Sequence, residues 1–274
     1  MVIFDDGNAI LKQLTFDQPT AWLATQLQRD PDLWNRHWVI AQLVQRPADT
    51  AAAAAVAQAA TGADYFLSRA AAAQALAAFP VGVALPALQA AMKDTSAQVR
   101  AAAVEALGNV GGAQAATLAR QAWTGDSSDA VRAAAVTAMA LSDSAGRRAV
   151  ILLALSTPSY RDAVQIAAYR VIARTGDTTL VDSLDARAGD QRFAVHVLAA
   201  LAGRGSGHAL DLLVKHLDDE RPYVRRWALE AFRFSLRRDI AQSKLKAVSA
   251  GLKYADTKQA AAELLQQWQA SGGN

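Results

Sequence analysis

The chain has 274 residues, 52% of them hydrophobic and only 7% aromatic, so small aliphatic side chains must build most of the core, and helices made from them can pack closely. It contains no cysteine, which excludes disulfides, thiolate zinc sites and a cysteine nucleophile while leaving the compartment open. The net charge of +3 is unevenly spread: up to Ser144 there are 9 basic and 12 acidic residues and beyond it 19 and 13, so the basic surplus belongs to the C-terminal half.

Residues 1–17 differ from everything after them. Val2, Ile3 and Phe4 lead into the turn cluster Asp5, Asp6, Gly7 and Asn8, and the following ILKQLTF alternates with period two, which predicts a hairpin or strand. A two-stranded hairpin is marginal alone and needs a neighbour to pack on. Acids stand where a secretory signal would need a basic start and an apolar run. The expectation is therefore a soluble chain without a signal peptide, cytoplasmic if Met1 is the native start and compatible with the periplasm if the chain is a fragment.

From residue 18 to 238 the pattern becomes helical and repetitive. The clearest stretch is DTSAQVRAAAVEALGNVG from Asp94: Asp94, Thr95 and Ser96 offer cap oxygens, Val99, Ala103, Ala106 and Leu107 recur at helical spacing, and Gly108, Gly111 and Gly112 supply the stop. GDSSDAVRAAAVTAMALSD rewrites it, with Asp126, Val131, Arg132, Val136 and Met139 in the corresponding places. Aligned on one arginine, the second helices of successive pairs carry Arg36, Arg69, Arg100 and Arg132, at steps of 33, 31 and 32. Gln165 takes the slot in the fifth pair and Arg225 restores it in the seventh, whereas in the sixth either Arg192 or Ala194 fits. First helices are expected over 20–29, 50–60, 83–93, 114–123, 145–155, 178–186 and 208–217.

The segment 70–92 is long enough to test as a membrane span, but Pro80, Gly82 and Pro86 interrupt it and alanine is weakly apolar, so it reads as a repeat boundary. Residues 239–274 lack the aspartate-to-arginine signature and carry Lys244, Lys246, Lys253 and Lys258, which suits capping helices ending in a frayed Gly272, Gly273, Asn274 tail.

An acid six residues before an arginine sits at the turn between the helices of a pair, where it can cap the second helix and pair with an arginine of its own or a neighbouring repeat. Asp30, Arg36, Arg69, Asp94, Arg100, Asp126, Arg132, Asp219 and Arg225 are the expected members of such a ladder. This Asp, Val, Arg, Ala, Ala, Leu, Gly pattern resembles HEAT repeats over roughly residues 19–236, although the step is shorter than the usual length of about 40. The resemblance implies an all-α, right-handed solenoid of about seven helix pairs.

A second resemblance lies at the start. Phe4, Asp5, Gly7, Leu11 and Lys12 are similar to the junction in zinc aminopeptidases of the aminopeptidase N family, where the last strand of a β-sandwich domain hands over to a C-terminal helical domain; Asp6 departs from the family's proline. It implies a non-catalytic C-terminal domain concerned with substrate access, stability or contact with a catalytic metallopeptidase domain. The family's paired-histidine zinc motif and its exopeptidase loop are absent, so no catalytic residue, metal ligand or cofactor is carried over.

The remaining candidates are surface features. His37, His196, His208 and His216 lack metal-binding spacing. Gly203, Gly205 and Gly207 lie between helices and read as a stop and turn. Arg226, Arg233 and Arg237, interleaved with Tyr223, Trp227, Phe232 and Phe234, form a basic strip that reads as a solvated face or as a protein or peptide contact, and less as a nucleic-acid site, because Asp218, Asp219 and Glu220 precede it. Trp34 and Trp38 either seal the first repeat against the N-terminal segment or form an interface. Three functional readings follow: the metallopeptidase-associated domain, a free-standing scaffold binding a protein on its concave face, and, more remotely, a nucleic-acid-binding solenoid.

Overall fold

The computed structural model describes residues 17–187 and 192–271, and the expected β element at 1–17 lies outside the described residues except for Asp17. Among the described residues there are sixteen α-helices and no strand. In chain order these are α1 (Thr20–Arg29), α2 (Leu33–Val44), α3 (Thr50–Gly62), α4 (Phe66–Ala75), α5 (Val81–Ala91), α6 (Ala97–Val110), α7 (Gly112–Gly125), α8 (Asp129–Ser142), α9 (Arg147–Leu155), α10 (Ala163–Thr175), α11 (Val181–Arg187), α12 (Arg192–Gly203), α13 (Gly207–Val214), α14 (Pro222–Arg233), α15 (Arg238–Ser249) and α16 (Ala255–Ser271). They form eight consecutive helix pairs, the eighth being the expected cap. No described helix is long and apolar enough to cross a membrane.

The chain divides into two compact units, 1–168 and 169–274. In the first unit, α2, α4 and α6 each pack on the first helix of their own pair and on the second helix of the next repeat, so the core is a continuous file. Val39, Leu43, Ala72, Leu76, Val99, Leu107, Val131 and Ala135 are buried along it. Alanine is frequent here because a methyl group is all that fits where two helix backbones approach. The second unit repeats the scheme with bulkier residues, burying Leu198, Leu201, Leu213, Val224, Phe232 and Leu264.

Several local expectations are corrected. Gly108 is not a helix stop: it lies inside α6, where a Cβ would sit 2.9 Å from Ala138 Cα, and its size lets α6 and α8 touch. The stop is Gly111 and Gly112, whose φ values of 73° and 84° are in the left-handed region that glycine adopts without strain. At the start of α6 the N-cap residue Ser96 makes no side-chain cap bond, and instead Asp94 accepts a hydrogen bond from the Ser96 amide at 2.8 Å. The first helices of the sixth and seventh pairs are shorter than expected, since 178–180 wind as a 3-10 turn before α11 and 215–218 as one after α13.

Burial also settles the register of the sixth repeat. In α14 the buried positions are 224, 225, 228, 231 and 232, and α12 repeats them at 194, 195, 198, 201 and 202, with Val197 buried as well. The arginine slot is therefore Val195, not Arg192 or Ala194, and it lies 30 residues from Gln165 and from Arg225.

Candidate functional site

The aspartate–arginine ladder is the most regular polar feature. Arg69 Nε and Nη2 donate to both carboxylate oxygens of Asp94 at 2.6 and 3.0 Å, and Arg100 does the same to Asp126 at 2.7 and 3.0 Å. The third nitrogen of each turns back to its own inter-helix turn: Arg69 Nη1 donates to the carbonyls of Ala63 and Asp64, and Arg100 Nη1 to those of Asp94 and Thr95. Each arginine thus ties its own turn to the acid of the following repeat, in the two-pronged geometry that a planar guanidinium favours. Arg36 begins the series, donating to the Asp30 carbonyl at 2.6 Å and to Asp64 in the next repeat. Asp30, fully buried, is held by Gln26 and by the Asp32 amide. The arginine hydrogen bonds, first among the causes, hold the carboxyls of Asp94 and Asp126 below the ordinary range.

The ladder does not run unbroken. Arg132 turns to Asp129 of its own helix at 3.0 Å and stacks over Trp123, because the next repeat offers Ser159 where the acid would be. Ser159 instead bonds Gln165 at 2.7 Å, a neutral replacement for the Asp and Arg positions. In the second unit Asp219 is engaged by Arg221, and Arg225 reaches forward to Asp256 at 2.7 Å and to Thr257 at 3.0 Å, with Tyr254 beneath its guanidinium. The C-terminal cap therefore does contribute to the ladder, contrary to expectation.

The rungs of Arg36, Arg69, Arg100 and Arg225 join one repeat to the next. A depression of the first unit, about 250 Å³, is open and lined by Met92, Val104, Leu118 and Val131, with Asp126 already committed to Arg100. Among the described residues no group of three or more His, Asp or Glu side chains converges as a metal site. His208 and His216 instead contact Asp182 and Asp185 at 2.8 and 3.3 Å.

A different surface is chemically distinctive. In the second unit His196 and Trp227 meet edge to face at 5.2 Å, Trp227 and Tyr223 do so at 5.2 Å, and Phe193 stacks on the buried Tyr169 at 6.5 Å. Phe193 remains 39% exposed and Tyr223 38%, so this aromatic row is partly open to solvent. Arg226 and Arg233 are exposed on the same face of α14. Arg237 is not part of it: α14 ends at Arg233, and Arg237 pairs with Asp239 beyond the helix.

The corrected register shows that this face recurs. Two residues before, one after and two after the arginine slot stand Tyr223, Arg226 and Trp227 in the seventh repeat and Trp34, His37 and Trp38 in the first. Repeats two to four place Leu67, Ala70, Ala71, then Gln98, Ala101, Ala102, then Ala130, Ala133, Ala134 there. Trp34 is 75% exposed, whereas Trp38 packs against the core of the first unit. Residues 1–16, one of the two expected partners of these tryptophans, lie outside the described residues.

A ladder of inter-repeat rungs on consecutive helix pairs defines a HEAT-repeat helical solenoid fold. A family model for HEAT repeats matches residues 58–140. The solved structure of YibA from Escherichia coli is similar, at 16% identity, covering 93% of this chain and 99% of its own with a TM-score of 0.52. The CpcE–CpcF complex of phycocyanin lyase from Nostoc sp. PCC7120 aligns at 18% identity over 94% and 98% of the two chains with a TM-score of 0.45. An archaeal HEAT-like repeat protein from Thermococcus onnurineus NA1 aligns at 15% identity over 92% and 97%, with a TM-score of 0.35. Curated protein sequences return no match. At these identities the likeness concerns the fold alone.

Proposed function

We propose that the chain is a non-catalytic scaffold that binds a protein segment on the exposed face of its second helices. The observation that carries this reading is the solvent-open aromatic row of Phe193, His196, Trp227 and Tyr223. Large aromatics held in contact with one another while still exposed are typical of interaction surfaces, since their apolar area is otherwise better buried.

The narrower reading, a C-terminal domain of an aminopeptidase N-like metallopeptidase, rests on Phe4, Asp5, Gly7, Leu11 and Lys12, which lie outside the described residues. No described residue favours it over a free-standing scaffold.

The test is a photo-crosslinking amino acid placed at Phe193 or Tyr223 on the face, or at Ala247 on α15, in source-cell lysate. The scaffold reading expects one discrete adduct shared by the two face positions and lacking at Ala247. Adducts of equal yield from all three positions, or from none, would overturn it.

A further inference from the structure

Three arginines of the second unit, Arg170 on α10 and Arg226 and Arg233 on α14, have no side-chain hydrogen-bond or ion-pair partner among the described residues, and all three are exposed on second helices. This is selective. In the same unit Arg221 pairs with Asp219, Arg225 with Asp256, Arg237 with Asp239, and Arg238 donates to the Trp268 carbonyl and the Ser271 hydroxyl at the C-terminal end of α16. These four arginines are satisfied within the fold, whereas the three on the face are left available.

Their placement follows the repeat register. On α14 the stripe at helical spacing is Tyr223, Arg226, Glu230 and Arg233, and on α12 the equivalent stripe is Phe193, His196, Ala200 and Gly203. On α10 the equivalents of Ala200 and Gly203 are Arg170 and Ala173. Small residues therefore floor the end of α12 beyond His196, aromatics line its beginning, and cations stand on the helices to either side.

Resting on the scaffold reading, we infer that this face takes an extended acidic peptide segment that also carries aromatic side chains. The aromatic row supplies area for ring-on-ring contact, and the unpaired guanidinium groups supply charge complementarity to Asp and Glu. Glu230, exposed between Arg226 and Arg233, favours a peptide over a nucleic acid. Discrete carboxylates can be spaced around it, whereas a continuous phosphate backbone would run over it.

The test uses the full chain and short fluorescein-labelled peptides read by anisotropy. One alternates Glu and Phe, one replaces every Glu with Lys, and a single-stranded oligo-dT serves as the nucleic-acid probe. The expected result is saturable binding of the Glu/Phe peptide, weakened about tenfold or more by Arg226→Glu with Arg233→Glu, unchanged by Arg237→Glu, and absent for the Lys/Phe peptide. The substituted residues are exposed, and circular dichroism melting checks that the variants remain folded. Equal affinity for the Glu and Lys peptides, no effect of the double reversal, or tighter binding of oligo-dT would each overturn the inference. Crosslinking at Phe193 and Tyr223 that persists in the double-reversal variant would sink the acidic specificity while leaving the scaffold reading intact; loss of both the peptide binding and the shared adduct would remove both.

Discussion

Arg100 holds both carboxylate oxygens of Asp126 at 2.7 and 3.0 Å while donating through its third nitrogen to the Asp94 carbonyl at 2.9 Å. One side chain thus joins two inter-helix turns. The pair is largely shielded, with side-chain exposures of 19% and 13%, so losing one partner strands the other in a poorly hydrated place. Asp126→Ala is expected to cost about 2 kcal/mol, below the range for fully buried pairs because some water reaches both groups. Urea unfolding measures it, and an unchanged midpoint would refute the structural role of the rung.

The same pair gives a pH dependence. Arg100 holds the Asp126 carboxyl, and Arg69 the Asp94 carboxyl, below the ordinary range. The folded chain then binds fewer protons than the unfolded one as pH falls below about 3.9. The stabilisation is fully present above that value and is lost as pH drops through the lower folded values. The stability gap between the wild type and Asp126→Asn should accordingly narrow between neutral pH and about pH 3, as followed by urea titrations at each pH. A gap independent of pH would show that the carboxylate charge contributes nothing.

How much of this was legible in the sequence differs by feature. The ladder was readable because its offset of six residues lies within one repeat, as in Asp94 to Arg100 and Asp219 to Arg225. The direction of pairing was not, since an arginine reaching its own acid or the next repeat's has the same local sequence. Asp256 escaped notice because no arginine follows it six residues later; the remaining signal was an Asp-Thr pair at the start of a helix. The sixth register was obscured because Val195 occupies a slot that arginine marks elsewhere, and only the burial of 194, 195, 198, 201 and 202 identifies it. Arg170 carries no signal of its own in the sequence of α10, because its significance depends on which face it shares.

His216 is a second titrating element. Its imidazole is 8% exposed, with Nε2 3.3 Å from Asp185 and Nδ1 4.0 Å from Asp219, and Asp185 also pairs with Lys215. Burial, assisted by the Lys215 charge, outweighs the two carboxylates and keeps the ring below its ordinary pKa. The unfolded chain therefore takes up a proton on this residue first. Its contribution to stability is full above about pH 6.5 and falls as pH drops from there toward the lower folded value. Unfolding free energies at about pH 7.5 and about pH 5.5 should differ less for His216→Gln than for the wild type. An identical slope in the two proteins would exclude His216 as its source.

Ser68 is wholly buried on α4, and its hydroxyl has no hydrogen-bond partner. It stands immediately before Arg69, where the later repeats carry Val99, Val131 and Val224. A buried unsatisfied hydroxyl costs about 1 kcal/mol or more, so Ser68→Ala should raise stability by about that amount and move the thermal midpoint upward. A lowered midpoint would mean that the hydroxyl is satisfied in solution.

Two glycines separate close packing from backbone entropy. At Gly108 in α6 an added Cβ would lie 2.9 Å from Ala138 Cα, a backbone atom that cannot swing aside, so the two helices would have to part. Gly108→Ala should therefore destabilise by about 1–3 kcal/mol even though alanine is the better helix former. Gly62, the last residue of α3, has nothing within 4 Å of the same added atom and no left-handed φ, so Gly62→Ala should stabilise by about 0.5–1 kcal/mol by restricting the unfolded chain. Chemical denaturation of both variants reads the contrast directly. If both substitutions stabilise, helix propensity outweighs contact at α6 and α8; if both destabilise, Gly62 has a conformational role beyond the space around it.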